Sequence, residues 1–228
     1  MDAPDDPAAV LAGIGERIAA CTRCPRLVSW RREVAGHPPP RFAGERYWAR
    51  PVPGFGDPAA RVYVLGLATA AHGGNRTGRA FTGNPTGDWV VRALHRAGLA
   101  DRPTSAHADD GLRLDGAWTG SAVRCAPPGN RPTPLERDTC LDFLSEEVRA
   151  LTRLRVLLVL GGFAWDAVTR WAGVRPRPRF GHGVEHRLDG GPTLLGCYHP
   201  SRQNTNTGVL TEAMLDAVVA RAVELAGP

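Results

Sequence analysis

Arg61-Val-Tyr-Val-Leu-Gly66 is a short apolar run closed by a glycine. A run of that length suits a strand buried on both faces. A Gly-rich segment follows, from Ala68 to Gly87, and then Asp88 to Ala97, which reads as a helix with Gly98 as its cap. Downstream the order of elements is the same. Trp118 to Arg124 reads as a second strand, followed by a loop punctuated by Pro127, Pro128, Pro132 and Pro134. Leu135 to Leu151 is expected to be helical, with acids early and arginines late, as the macrodipole favours. Arg155 to Leu160 is a third strand closed by Gly161-Gly162, and Ala164 to Ala172 the next helix. Pro192 to Tyr198 is a fourth strand, and Thr207 to Leu225 a closing helix. Upstream, Ala8 to Ala20 carries Val10, Leu11, Ile14 and Ile18 at helical spacing. Residues 36–58 are expected to form a long ordered loop, and residues 101–116 a polar surface loop.

Short apolar strands alternating with helices predict an α/β fold, a parallel sheet covered on both faces. Ligands of such sheets bind at the carboxyl ends of the strands. Three loops fall there: 66–87, 125–134 and 199–207.

The chain has 228 residues, 43% hydrophobic and 22% charged, which excludes wholesale disorder and collagen-like repeats. The length fits one domain over 1–228, or at most two small ones, with a core that needs no disulfides. No apolar run approaches the roughly 18 residues of a membrane span. The opening Met1-Asp2-Ala3-Pro4-Asp5-Asp6 is acidic. A soluble, cytoplasmic protein with no membrane partner is expected. The net charge is +5, and all 28 basic side chains are arginine. An arginine excess permits a polyanionic partner, and a coding bias produces the same composition. The absence of lysine excludes a lysine Schiff base.

Five cysteines, an odd count, argue against a disulfide framework. Cys21-Thr-Arg-Cys24 can place two thiolates on one metal centre. Cys125 follows a strand, and Cys140 lies in the next helix. Four thiolates suit tetrahedral zinc or a [4Fe–4S] cluster, while free buried cysteines remain the structural alternative. Cys197, inside a strand, reads as a small core residue.

The first loop runs Gly66-Leu-Ala-Thr-Ala-Ala-His-Gly-Gly-Asn-Arg-Thr-Gly-Arg-Ala-Phe-Thr-Gly83-Asn84. Its glycines let backbone approach a ligand closely, or simply make tight turns. The last loop runs His199-Pro-Ser-Arg-Gln-Asn204, and a histidine there can donate to a developing anion.

These segments, with Cys21–Pro25, Tyr47-Trp-Ala-Arg-Pro-Val-Pro-Gly-Phe-Gly56 and Ala122-Val-Arg-Cys-Ala-Pro-Pro128, resemble the uracil-DNA glycosylase superfamily, in particular its type 5 iron–sulfur branch. The resemblance covers nearly the whole chain. It implies a three-layer αβα sandwich with a four-stranded parallel central sheet. It implies a [4Fe–4S] cluster on Cys21, Cys24, Cys125 and Cys140. It implies a monomer that excises uracil, and with it hypoxanthine or xanthine, from uracil-containing or deaminated DNA. His199 and Asn84 take the catalytic positions. Ala68, Thr69, His72, Asn75, Phe81, Ser121, Arg202 and Asn204 take the substrate-binding ones.

Within that pattern, Phe81 is expected to stack on a flipped base, and equally to be core. Ser121 stands where narrower relatives carry an asparagine, which implies a roomier pocket. Ala68 stands where other branches have Asp or Asn, and a methyl cannot polarise water. Thr69 replaces the proline of the type 5 pattern, losing rigidity and adding a hydroxyl. Asn84 replaces a carboxylate, and an amide can orient a water but cannot take its proton. Weakened excision is therefore expected, and the alternative is a relative that binds damaged bases without efficient cleavage. Arg131 and Arg137, beside Arg124, are expected to meet DNA phosphates, or else to form a solvated basic face.

Overall fold

The computed structural model describes residues 6–227; residues 1–5, most of the acidic opening, lie outside the described residues. The first helix, α1 (Pro7–Ala20), begins at a proline, and the Asp6 carboxylate accepts from Ala8 N at 3.1 Å. Next come α2 (Pro25–Gly36), β1 (Phe55–Gly56), β2 (Val62–Ala68), a single turn α3 (Gly74–Thr77) and α4 (Pro85–Arg96). The chain continues through β3 (Ala117–Val123), α5 (Pro134–Ala150), β4 (Val156–Leu160) and α6 (Gly162–Trp171). It closes with β5 (Glu185–Arg187), β6 (Thr193–Cys197), α7 (Arg202–Asn206) and α8 (Glu212–Ala226).

The sheet order is β1-β3-β2-β4-β6-β5. The four inner strands are parallel, as expected. Two short antiparallel strands, β1 and β5, are added at the edges. Both are too short to show a pattern of their own, and β1 lies inside the segment expected to be loop.

Alternation along the inner strands builds the layers. Val62, Val64, Val156, Leu158 and Leu195 face α4 and α8, packing on Val90, Val91, Leu94, Leu215, Val218 and Val219. Tyr63, Leu65, Leu157, Val159 and Leu194 face α1, α5 and α6, against Ile14, Ile18, Leu144, Trp165 and Val168. Each fully buried aliphatic side chain contributes roughly 1.5–3 kcal/mol of transfer free energy. That drive, on both faces, is why these runs read as continuously apolar. Cys197 belongs to this core, with its thiol against Tyr198 O at 3.3 Å.

Two helical expectations change. α2 lies in a stretch where the sequence reading placed no element. Its buried face is Leu27, Arg31 and Val34, so an arginine interrupts the apolar stripe. The closing helix expected from Thr207 starts at Glu212, and the expected 199–207 loop contains the short helix α7. Gly208 turns left-handed at φ 72°, and the Thr211 side chain caps α8 by accepting from Met214 N at 3.2 Å. Among the described residues no helix is long and apolar enough to cross a membrane.

Candidate active site

A cleft of about 620 Å³ opens at the carboxyl ends of the parallel strands. That volume suits a nucleobase-sized ligand with room to spare. Gly66, Ala68 and Thr69 come from the end of β2, and Ser121 from β3. Phe81, Asn84 and Thr86 lead into α4, and His199, Arg202 and Asn204 follow β6. Gly66 and Ser121 are register partners on neighbouring strands, so the two lining positions sit side by side.

The Gly-rich segment is held in shape by specific contacts. A Cβ on Gly66 would lie 2.8 Å from the Phe81 ring, so only glycine lets that ring lie against the strand. Phe81 itself has φ 50°, a left-handed conformation rare for an aromatic residue. Thr69 Oγ1 donates to Arg124 O at 2.8 Å, and Thr69 N donates to Val123 O at 3.2 Å. The hydroxyl that replaces the expected proline is thus engaged in tethering the loop to the end of β3. Asn84 is the N-cap of α4: its Oδ1 accepts from Gly87 N at 3.0 Å. Arg79 pins the segment from behind, its Nη2 donating to both Asp110 carboxylate oxygens at 2.7 and 2.8 Å. That Nη2 donor and three backbone N–H donors hold the Asp110 carboxyl down to about 2 against the opposing cost of burial.

His199 sits half-buried in the cleft wall. Its carbonyl accepts from Asn204 Nδ2 at 2.8 Å, and Thr86 Oγ1 donates to Pro200 O at 3.0 Å. These bonds fix the turn that carries the ring and tie it to the start of α4. Burial pushes the His199 imidazolium down to about 4. At neutral pH the ring is uncharged and presents one N–H donor.

Two expected substrate ligands lie outside the cleft lining. His72 bonds the Tyr47 hydroxyl at 3.0 Å, and desolvation together with Arg41 and Arg76 lowers its pKa. Asn75 is wholly buried, and its Nδ2 donates to Arg31 O at 3.2 Å. The expected basic face also changes. Arg124 is buried in an ion pair with Glu147 at 2.5 Å, and Arg137 is buried against Asp138 and the Phe163 ring. Both are withdrawn from the surface, whereas Arg131 is exposed. Conversely, Asn130 and Gln203 line the cleft and were not singled out from the sequence. Asn130 stands in the 128–130 turn with φ 56°, and its Pro-Gly-Asn context was a turn signal available beforehand.

On the far side of Thr69 and Arg124 the four cysteines converge. Cys21, Cys24, Cys125 and Cys140 line one narrow cleft, with Leu27, Arg31, Arg124 and Phe143. Burial pushes the Cys125 thiol up to about 12, opposed by Arg31, whose Nη1 donates to Cys125 Sγ at 3.0 Å. Among the described residues no group of three or more His, Cys, Asp or Glu side chains is arranged to hold a metal ion. The donors gathered here are all sulfur, the chemistry of an iron–sulfur ligand set.

A sequence model described as "Uracil DNA glycosylase superfamily" matches residues 53–222. That span contains the whole cleft lining. The chain belongs to this superfamily, in its type-5 branch. It is 54% identical over 213 residues to a "Type-5 uracil-DNA glycosylase" of Mycobacterium tuberculosis, covering 92% of this chain and 80% of the relative. A protein of the same description from Mycobacterium leprae is 51% identical over 94% of this chain and 95% of its own length. Another, from Thermus thermophilus, is 49% identical over 93% and 96%. The cysteine pair Cys21–Cys24 lies upstream of the matched span.

Proposed function

We propose that the chain is a monofunctional uracil-DNA glycosylase of base excision repair. It would act as a monomer, in the cytoplasm, through one domain spanning 1–228. The observation that carries this reading is that His199 and Phe81 face the same cleft, in a chain with type-5 relatives.

The reaction is hydrolysis of the N-glycosidic bond. A base flipped from the duplex enters the cleft and stacks on Phe81. As the bond breaks, electrons pass to the base and positive charge develops on the sugar. The His199 N–H donates to the base oxygen as that oxygen gains charge. A neutral donor suits this task, since it needs no proton transfer to be effective. Asn84 orients the water whose oxygen bonds to the sugar carbon, and the water's proton goes to solvent. Ala68 leaves that water unpolarised from the other wall. Arg202, exposed at the rim, fills the vacated stack or meets phosphate. Ser121 offers a single hydroxyl to the base edge. A pocket so lined accepts hypoxanthine and xanthine beside uracil. The product is an intact abasic site, because no lysine is present to form a Schiff base.

Cys21, Cys24, Cys125 and Cys140 would hold a [4Fe–4S] cluster, which when bound cross-links the N-terminal segment to α5 and does no redox work in excision. An all-sulfur donor set and the sulfur-directed Arg31 support that assignment.

A second reading rests on one residue. An amide at Asn84 cannot accept the water's proton, which favours a protein that binds deaminated bases and cuts them slowly. Single-turnover excision from a duplex with one uracil separates the two. Abasic-site formation above the uncatalysed rate supports the enzyme; tight uracil-dependent binding without it supports the binder. Strand nicking without alkali or heat contradicts the monofunctional assignment.

A further inference from the structure

Three arginines line the four-cysteine cleft: Arg23, Arg31 and Arg124. Arg23 pairs with Asp142 at 2.8 Å, and Arg124 with Glu147 at 2.5 Å. Arg31 is different. It is 3% exposed, and among the described residues it makes no ion pair with any carboxylate. Its Nη1 donates to Cys125 Sγ at 3.0 Å and its Nη2 to Cys21 O at 3.4 Å, while Nε has no partner. A guanidinium stays charged in any protein environment, so burying it without an anion is costly. The nearby groups able to carry the compensating charge are the cysteine sulfurs. Its backbone reaches the other way: Arg31 O accepts from Asn75 Nδ2, in the segment between Thr69 and Phe81 that walls the active-site cleft.

We propose that Arg31 is the buried counter-cation of the four-thiolate centre and a positioning residue that joins this centre to the active-site wall. Its side chain holds the Cys125 sulfur and the Cys21 carbonyl beside the other ligands, and its own carbonyl, fixed by that hold, anchors Asn75. This rests on the cluster assignment above. A charged donor on a ligand sulfur stabilises the more negative, reduced state of a cluster. Loss of the charge therefore lowers the reduction potential, and loss of the hold loosens residues 69–79.

The test compares wild type with Arg31→Gln and Arg31→Lys, all purified without oxygen. Iron content and absorbance near 400 nm of the wild type come first. A wild type without iron ends the cluster assignment itself, and the Arg31 proposal with it. With a loaded wild type, three readouts follow: reduction potential, bleaching by an iron chelator, and amide hydrogen exchange over 69–79. For Arg31→Gln we expect the reduced state to be disfavoured tenfold, which is about 59 mV for one electron. We also expect tenfold faster bleaching, and faster exchange confined to 69–79. Arg31→Lys should restore most of the potential and only part of the exchange protection, because an ammonium keeps the charge but lacks the fork. If Arg31→Gln folds but loads no iron, the lysine variant carries the same comparison. Loaded variants with wild-type potential and wild-type exchange overturn the proposal. So does unfolding of both variants with the lysine offering no rescue, which makes Arg31 a packing residue only.

Discussion

Replacing Asn84 by aspartate should speed excision while leaving the fold intact. Asn84 Oδ1 caps α4 through Gly87 N at 3.0 Å, and one oxygen of a carboxylate can make the same bond. Asn and Asp are equivalent caps, and a negative charge at a helix N-terminus gains about 0.3–1 kcal/mol. The amide's other contact, Nδ2 to Thr82 O at 3.4 Å, is long. Its replacement by an oxygen facing a carbonyl costs a similar fraction of a kcal/mol. The two changes offset, so stability should move by under about 1 kcal/mol, a few degrees at most in a chain of this size. The second oxygen is then free to accept from water in the cleft. A positioned general base contributes about 10²–10⁴ in rate, or about 3–5 kcal/mol of barrier. We expect at least a 100-fold gain in single-turnover excision. The assay mixes excess protein with a labelled duplex holding one uracil, quenches over time, and cleaves abasic sites with hot alkali. A variant with wild-type melting and an unchanged rate would remove Asn84 from the mechanism.

Other expectations follow from the same contacts. His199→Ala should slow excision about 10²–10³-fold, the usual loss on removing one donor to a developing anion. Since burial holds the His199 pKa down to about 4, the wild-type rate should show no imidazole inflection between pH 5 and 8; one near 6.5 that vanishes in the variant would contradict a neutral donor. The same group lowers stability on acidification. The unfolded ring binds a proton near 6.5 while the folded ring waits until about 4, so His199's contribution is lost as pH falls through that window. Arg131→Ala should reduce the slope of log binding constant against log salt by about 0.9, whereas Arg137→Ala, buried on Asp138, should leave it unchanged; equal effects would refute the corrected basic face. Glu147→Gln strands the buried Arg124 guanidinium and should cost about 3–5 kcal/mol in denaturant titration, most of it recovered by adding Arg124→Met; a loss below about 1 kcal/mol would show that the pair is not needed.

The inner sheet was legible because its strands are buried on both faces and so are largely apolar, β3 with its Thr119 and Ser121 the least so. What escaped was local. α2 was hidden because Arg31 occupies its buried face, and a charged residue there breaks the periodic signal. β1 and β5 have two and three residues, below any pattern length. In the site, His199, Phe81 and Asn84 were recoverable from motif order. Asn75 and His72 sit in the same motif but turn inward: Asn75, in the single turn α3, reaches Arg31 O of α2, and His72, just before that turn, bonds the Tyr47 hydroxyl. Sequence adjacency to a cleft carries no information about which way such a turn faces. Arg124 and Arg137 failed for a related reason: a basic residue reads as exposed until its carboxylate partner, 23 residues away for Arg124, is known.

The sheet's two margins have a practical meaning. A long bare margin invites a neighbouring molecule to dock its own backbone there. Here each flank ends in a stub of two or three residues running against its neighbour, and the outer stub carries Glu185 and Arg187. Such stubs offer too few free amides to template ribbon growth. A solution of this protein should therefore tolerate high concentration without fibrillising, an asset to any cell that must keep a repair enzyme dispersed along its chromosome.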